Sequence, residues 1–267
     1  MDEKDVMAAG TQIITEVAKE RAAAVYDDAF KLAAQETGGA MQAIVGLFNH
    51  VVLYPVKMAN LTFRYKLEQF EEDLKAKVDR IPPGQVIYPE LAIAGPTLEA
   101  LKYTFDTEEL REMYLKLLAS SMNSETSGNA HPSFVEIIKS MNSIDAQVFK
   151  DAAAAGQLPC ARITIGFETK VFTGAMPEFF IPSILHDRDP FAVSKSIQNL
   201  CRMGLLTHRD NTITGFDYNQ YASHPFVLQQ NLAYAPGAPG KEVSPRVAGE
   251  VILLNDFGRA FQAACVS

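Results

Sequence analysis

The feature that most constrains the fold is a stretch without charge, from Thr37 to Val56, in a chain of 267 residues with a net charge of −8. It is close to the about 20 residues that a helix needs to cross a bilayer. Its apolar residues recur at helical spacing: Met41, Ile44, Val45, Phe48, Val51 and Val52. Small and polar residues share another face: Gly39, Gln42, Gly46 and Asn49. The pattern predicts a one-sided helix.

For this segment we favour a packed helix of a soluble bundle, because each polar group placed in hydrocarbon costs free energy. We expect its apolar face to be covered in the resting protein, by the first helix of the chain or by a second subunit. A membrane-directed effector helix through residues 37–56 stays open as the alternative, and its candidate residues are Ile44, Phe48 and Val52.

The composition is that of a globular protein, with 48% hydrophobic and 21% charged residues, which argues against a disordered chain. The negative net charge repels phosphate, so nucleic acid is not the favoured partner. Three cysteines, at positions 160, 201 and 265, have no metal-ligand spacing. A reducing cytoplasm is the expected compartment, and the acidic first residues do not have the form of a secretory signal. Membrane association on activation is the alternative.

The sequence pattern of the first 156 residues predicts helices. Residues 2–35 are rich in Ala, Glu and Lys, and residues 57–80 form an amphipathic pattern that stops at Pro-Pro-Gly. A further helix is expected to begin at Gly95-Pro96, and another to be capped by Asn142 or Ser143 and closed by Gly156. The predicted fold class is therefore mainly α, with an N-terminal helical bundle or hairpin over residues 1–84 and a compact helical block over residues 85–156.

The character of the chain changes after Gly156. Residues 162–167 and 170–173 are of β type. A helix is predicted from about Pro190 to Met203, then two neighbouring strands joined by a turn at His208–Thr212, and finally a strand at Val251–Leu254 before a helix capped by Asn255 or Asp256. This order of elements is typical of a winged helix. We therefore expect residues 157–267 to form a winged-helix-like α+β domain.

Several segments together resemble a known bacterial family. They are Gly46–His50 with Pro55, Leu110–Leu118, His131–Ile138, Met141–Ala146, Leu200–Leu206 and Leu254–Cys265. Their combination is similar to the abortive-infection alpha (Abi-alpha) family, a domain of unknown function linked to phage defence, over most of the chain beyond residue 38. The resemblance implies a role in phage defence through arrest or death of the infected cell. It brings no catalytic residues that transfer to this chain.

The residues that could form an active site are explained more simply by structural roles at helix ends. The segment His186-Asp-Arg-Asp189 could contribute metal ligands to a phosphohydrolase, but the five histidines are scattered, and its aspartates suit the start of the helix from Pro190. His131, Ser133 and Glu136 suit a helix N-terminus. The chain lacks both a Gly-x-Ser-x-Gly elbow and a P-loop. We predict no catalytic, cofactor-binding or metal-binding residues, no cofactor and no enzymatic activity.

The winged-helix-like domain offers four candidate nucleic-acid contacts, which are Lys195, Arg202, His208 and Arg209. From residue 181 to the end, seven Lys and Arg stand against seven Asp and Glu, and DNA affinity rests on phosphate neutralisation. We therefore predict a non-enzymatic phage-defence protein that acts through protein contacts, including self-association, or through a membrane-directed helix. A DNA-binding regulator that uses the winged helix is the alternative, and an enzyme with an unfamiliar site is a third.

Overall fold

A computed structural model of the chain describes residues 39–48, 62–172, 174–237 and 240–267. Within these ranges the protein is mainly helical, as predicted, with a four-stranded antiparallel sheet. It forms two compact units: the described residues up to 104 together with 115–132, and residues 105–114 together with the described residues from 133 onwards. The domain boundaries predicted after residues 84 and 156 stay a prediction.

The first unit is built from helices. They are α1 (Gly39–Phe48), α2 (Thr62–Val78), α3 (Leu91–Thr104) and residues 115–121 of α4 (Glu108–Ser121). Helix α1 buries Ile44, Leu47 and Phe48 and exposes Gln42 and Gly46. The one-sided helix predicted from the charge-free stretch is thus confirmed over residues 39–48. The remainder of that stretch, including Val52, lies outside the described residues.

Helix α1 packs against α2 and α3 through its apolar face. The ring of Phe48 stacks on Phe70 of α2, with centroids 4.0 Å apart and planes 7° from parallel. Leu74 and Val78 continue the buried face of α2 at four-residue steps, which is the spacing of successive turns on one side of a helix. The apolar face of α1 is therefore covered within the first unit.

Helix α3 begins earlier than the sequence predicts. Its first residue is Leu91, and Pro96 lies inside the helix rather than at its start. A proline in a helix removes one backbone hydrogen bond and crowds the carbonyl four residues before it. The next residue, Thr97, donates its hydroxyl to the carbonyl of Ile93 at 2.6 Å. The predicted start at Gly95-Pro96 is therefore four residues too late.

The second unit combines helices with the sheet. Beside the first turns of α4, its helices are α5 (Ser133–Lys139), α6 (Ser143–Ala155), α7 (Pro190–Arg202), α8 (Pro225–Tyr234) and α9 (Asp256–Cys265). Asn142, Asp189 and Asn255 cap α6, α7 and α9 through their side chains, as the sequence predicts. Helix α6 closes at Gly156, whose φ of 72° lies in the region that favours glycine.

The four strands pair antiparallel in the order β2-β1-β4-β3. They are β1 (Gln157–Phe167), β2 (Lys170–Val171), β3 (Leu206–Arg209) and β4 (Ser244–Leu254). The predicted turn at His208–Thr212 between neighbouring strands is wrong, because β3 pairs with β4, which begins only at Ser244. Residues 210–243 form an insert between these two strands. The chain leaves the sheet after Arg209, turns at Gly215, with φ of 80°, and enters a 3-10 helix at Tyr218–Ser223.

The register of the strands places polar and ionisable side chains on one face of the sheet. Cys160 lies opposite Glu250, and His208 lies opposite Ile252, two residues further along β4. Side chains two residues apart on a strand share a face, and opposed residues project together. Cys160, Glu250 and His208 therefore project from the same face, together with Arg162, two residues after Cys160.

The insert covers the opposite face of the sheet. The ring of Tyr218 lies directly over Gly249 of β4, in the space that a larger side chain would occupy. The hydroxyl of Tyr221 donates to the carbonyl of Pro159 in β1 at 3.0 Å. Both tyrosines are buried. The sheet of the second unit is thus covered on this face by residues that separate β3 from β4 in the sequence.

Candidate functional site

The exposed face of α7 carries two of the candidate nucleic-acid contacts. Lys195 and Arg202 lie seven residues apart, which is about two helical turns, and both are exposed. Gln198 lies between them and donates to the carboxylate of Glu178 at 2.8 Å. Arg209 is exposed at the end of β3. The positive charge on this surface is therefore sparse and has a carboxylate beside it.

The fourth candidate, His208, belongs to a different cluster, which is centred on Glu250. Its Nε2 lies 2.8 Å from Oε2 of Glu250, a residue only 6% exposed on the middle strand β4. The Nε of Arg162 lies 3.3 Å from Oε1 of the same carboxylate. Asp210, which is exposed, approaches His208 Nε2 at 3.5 Å. The buried carboxylate thus has a nitrogen partner on each oxygen, as burial of a charge requires.

The same cluster is a candidate metal centre. Within the part of the chain that the structure describes, His208, Asp210 and Glu250 are the group of three metal-type ligands, with ligand atoms within 4.8 Å of one another. A cation bound there would face the guanidinium of Arg162, which already contacts Glu250. Like charges repel strongly where solvent is excluded. The arrangement therefore suits a charge network that joins β1, β3 and β4 better than a divalent cation.

Two of the cysteines lie in surroundings that disfavour a thiolate. Burial raises the pKa of Cys160 to about 12, and the neighbouring Glu250 carboxylate acts in the same direction. Burial also raises the pKa of Cys201 to about 11. The thiolate, rather than the thiol, is the nucleophile. Both groups are therefore protonated and weakly reactive near neutral pH.

The segment of residues 186–189 has structural contacts on both sides. Asp189 caps α7 by accepting the N–H of Ala192 at 3.0 Å. Arg188 forms an ion pair with Asp151 of α6, and His186 Nε2 lies 3.5 Å from the same carboxylate oxygen. These contacts join α6 to the start of α7. They agree with the structural interpretation of this segment rather than with a phosphohydrolase site.

A second charge-free stretch, which bears on function, was not among the features predicted from the sequence. Tyr218–Gly240 contains no Asp, Glu, Lys or Arg and is longer than the charge-free stretch at residues 37–56. It makes up most of the insert and includes α8. Its one histidine, His224, caps α8 by accepting the N–H of Phe226 at Nδ1, 3.2 Å away, and burial lowers the pKa of its ring. The stretch is therefore neutral at pH 7, and a count of charge along the sequence suffices to find it.

The inner face of α8 is fixed to the rest of the second unit. Val227 is fully buried. The side-chain amide of Asn231 donates to the carbonyl of Val243 at 3.1 Å. Tyr234 packs against Phe172, with ring centroids 5.2 Å apart. These contacts, spaced three and four residues apart, determine the rotation of α8 about its axis.

The outer face of α8 is apolar and exposed. Leu228 is 46% exposed and Leu232 is 73% exposed, one helical turn apart, with exposed Gln229 and Ala233 beside them. We call these four residues the α8 surface. An isolated exposed leucine is ordinary, but adjacent leucines on a helix whose opposite side is already buried form a patch typical of a contact surface.

The candidate effector residues of α1 lie in the core of the first unit. Ile44 and Phe48 have no exposed surface. Their side chains contribute to packing rather than to an accessible patch. No helix within the described ranges is both long enough and apolar enough to cross a membrane.

Fold and surfaces together define a mainly helical protein with two candidate binding surfaces, the exposed faces of α7 and α8. The model of the abortive infection alpha family matches residues 62–265. Because this match covers most of the chain, the chain belongs to the abortive infection alpha family, and the predicted relationship is confirmed. The family suggests a role in abortive infection. Comparison with curated proteins and with solved structures found no match.

Proposed function

We propose that this chain is a non-enzymatic abortive-infection protein that acts in the cytoplasm by binding protein through the α8 surface. Family membership supports the defence role. One observation carries the mode of action: α8 has apolar side chains on both sides, and its own chain covers only one of them. Neighbouring exposed leucines on such a helix are typical of a contact surface. The exposed leucines therefore suit a partner.

The absence of enzymatic activity is part of the proposal. In the described ranges, the reactive groups that sequence and geometry single out already have structural roles. The Glu250 carboxylate is engaged by His208 and Arg162, and the raised pKa values of Cys160 and Cys201 leave their thiols protonated. A catalytic site brings a nucleophile or base together with a group that orients it and room for a substrate. The Glu250 cluster and the two cysteines contribute to the stability of the fold instead.

Infection survival tests the proposal. Leu232→Asp places a carboxylate at the centre of the α8 surface, on a side chain that is 73% exposed, so we expect the fold to persist and protection against phage to be lost. Leu91→Asp, the same change at a 41% exposed leucine of α3, is the matched control and should leave protection intact. Circular dichroism and the unfolding midpoint verify folding. Full protection by a folded Leu232→Asp chain would contradict the proposal.

For α1 we propose a core role in place of a membrane-directed one. An effector helix would have to withdraw Phe48 from its stack on Phe70 and leave the buried positions of Ile44 and Leu47 unfilled. Such a release is costly, because packed interiors tolerate empty space poorly. The effector hypothesis for Ile44, Phe48 and Val52 stays a prediction, and the Phe48 experiment below tests it.

A second candidate function is binding of nucleic acid by a winged-helix-like module. The order of α6, β1, α7, β3 and β4, with β4 between β1 and β3 in the sheet, supports this candidate. In such a module the insert would take the place of the first wing. Lys195 and Arg202 on the outer face of α7 would meet DNA, since that helix is the one that enters the major groove. The sparse positive charge keeps this candidate second.

A further inference from the structure

We infer that the α8 surface binds the same surface on a second copy of this chain, in an antiparallel pair of α8 helices about a twofold axis. The inference deepens the proposed function by naming the partner, and it rests on that function. Three observations carry it: the absence of charge on the surface, the spacing of its leucines and the contacts that hold the inner face of α8.

Neutrality points to a second copy. Two copies each bring a net charge of −8, so they repel one another wherever charged faces meet. The α8 surface lies within Tyr218–Gly240, where no Asp, Glu, Lys or Arg occurs and where the lowered pKa keeps His224 neutral. A strongly basic partner would be recognised by carboxylates, and α8 carries none. The helix itself therefore adds no like charge to a contact between two acidic chains.

The spacing of the leucines is self-complementary. Leu228 and Leu232 are four residues apart, which is about 6 Å along the helix axis. When two such helices lie antiparallel, Leu228 of one copy faces Leu232 of the other, and the twofold axis repeats the contact. Ala233 is small and exposed, which allows the helices to approach closely. Each partly exposed leucine then has an apolar neighbour.

The attachment of α8 favours binding without rearrangement. Val227 is buried, Asn231 bonds the carbonyl of Val243, and Tyr234 packs on Phe172. Because the inner face is fixed, the leucines are presented in one orientation, and little conformational freedom is lost on association. The contact of two ten-residue helices is small, so we expect a weak dimer with a dissociation constant on the order of tens of micromolar.

Sedimentation velocity of the full chain tests the inference, over a range from about 1 to about 300 µM that brackets this constant. We expect a monomer that converts to a dimer as concentration rises. Leu232→Ala should raise the dissociation constant at least about tenfold, because the truncation occurs twice in a twofold dimer. Leu91→Ala, the matched control, should leave the constant unchanged. A wild-type chain that stays monomeric, or a dimer that the two variants weaken equally, overturns the inference.

Infection survival of the same variants separates this inference from the proposed function. A monomeric wild type whose protection still depends on Leu232 overturns the second copy as partner and leaves protein binding through α8 standing. A dimer that Leu232→Asp dissociates without loss of protection supports the dimer and contradicts the proposed function. A monomeric wild type that sediments with neutral phosphatidylcholine vesicles, and loses this with Leu232→Asp, overturns self-association in favour of a lipid surface.

Discussion

Replacing Phe48 with Asp separates the two interpretations of helix α1. The side chain of Phe48 is fully buried, and its ring stacks on Phe70 at 4.0 Å. Loss of a buried phenylalanine costs about 3–5 kcal/mol, the stacked pair contributes about 0.5–1.5 kcal/mol, and an unpaired carboxylate adds its desolvation. Native stability is typically about 5–15 kcal/mol. Phe48→Asp should therefore unfold the first unit or leave it marginally stable.

Urea denaturation followed by circular dichroism measures this loss. Gln42→Asp is the matched control, because it places the same carboxylate on the exposed side of α1. Substitutions at such surface positions usually change stability by less than about 0.5 kcal/mol. If Phe48→Asp is as stable as Gln42→Asp, the packing argument is refuted.

Infection survival of the Phe48→Asp variant adds the functional arm. An unfolded variant supports the core helix. A variant that folds and still protects the cell excludes α1 as the effector. A variant that folds and no longer protects the cell supports the membrane-directed alternative, because a charge on the apolar face opposes insertion.

Three further outcomes are expected. Labelled duplex DNA at about 0.15 M salt should bind weakly, and tight binding lost on Lys195→Ala or Arg202→Ala would promote the winged-helix regulator. Iodoacetamide at mildly alkaline pH should modify Cys201 before Cys160, because pKa values of about 11 and about 12 leave more thiolate at Cys201; the reverse order contradicts this. Acidification below the ordinary histidine pKa of 6.5 should destabilise α8, because the lowered pKa of His224 means that the unfolded chain takes up the proton first. Weaker protection of the α8 amides against hydrogen exchange at low pH, relative to the intrinsic rate at the same pH and absent in His224→Asn, measures it.

Helices α1, α6, α7 and α9 could be predicted well because their signals are local. The caps at Asn142, Asp189 and Asn255 each involve a side chain and a backbone N–H only three residues away. The sidedness of α1 follows from periodicity within ten residues. Such features depend only on residues that are close together in the sequence, so the sequence itself contains every interacting residue within a short window.

The sheet and the candidate surfaces depend on partners that are far apart in the sequence. Local turn signals predicted that β3 would pair with the next residues, whereas its partner β4 follows the whole insert. The Glu250 cluster brings together residues from three strands through their register, and no motif announces it. The exposure of Leu228 and Leu232 follows from which side of α8 the second unit covers. Apolar and amide side chains occur on both sides of α8, so its sequence gives no periodicity from which to infer that side.

The substitution Gly249→Ala tests whether the packing of the insert on the sheet is needed for the binding proposed for α8. A Cβ at position 249 would lie 2.6–2.9 Å from three ring atoms of Tyr218, closer than van der Waals contact allows. The ring cannot move freely, because its hydroxyl donates to the carbonyl of Glu250 and accepts the N–H of Ile213, both at 3.0 Å. Overpacking of this kind costs about 1–3 kcal/mol, and relief of the clash would displace the insert from the sheet.

We therefore expect Gly249→Ala to accelerate amide hydrogen exchange in α8 and leave α6 unchanged, and to weaken the dimer without altering the α8 surface itself. Gly46→Ala is the control, since nothing lies within 4 Å of its added Cβ and alanine favours a helix interior by about 0.5–1 kcal/mol. In a Tyr218→Ala background the obstructing ring is gone, so Gly249→Ala should cost much less stability there. If it costs the same in both backgrounds, the ring of Tyr218 is not what the glycine accommodates, and the anchoring of the insert through this contact is refuted.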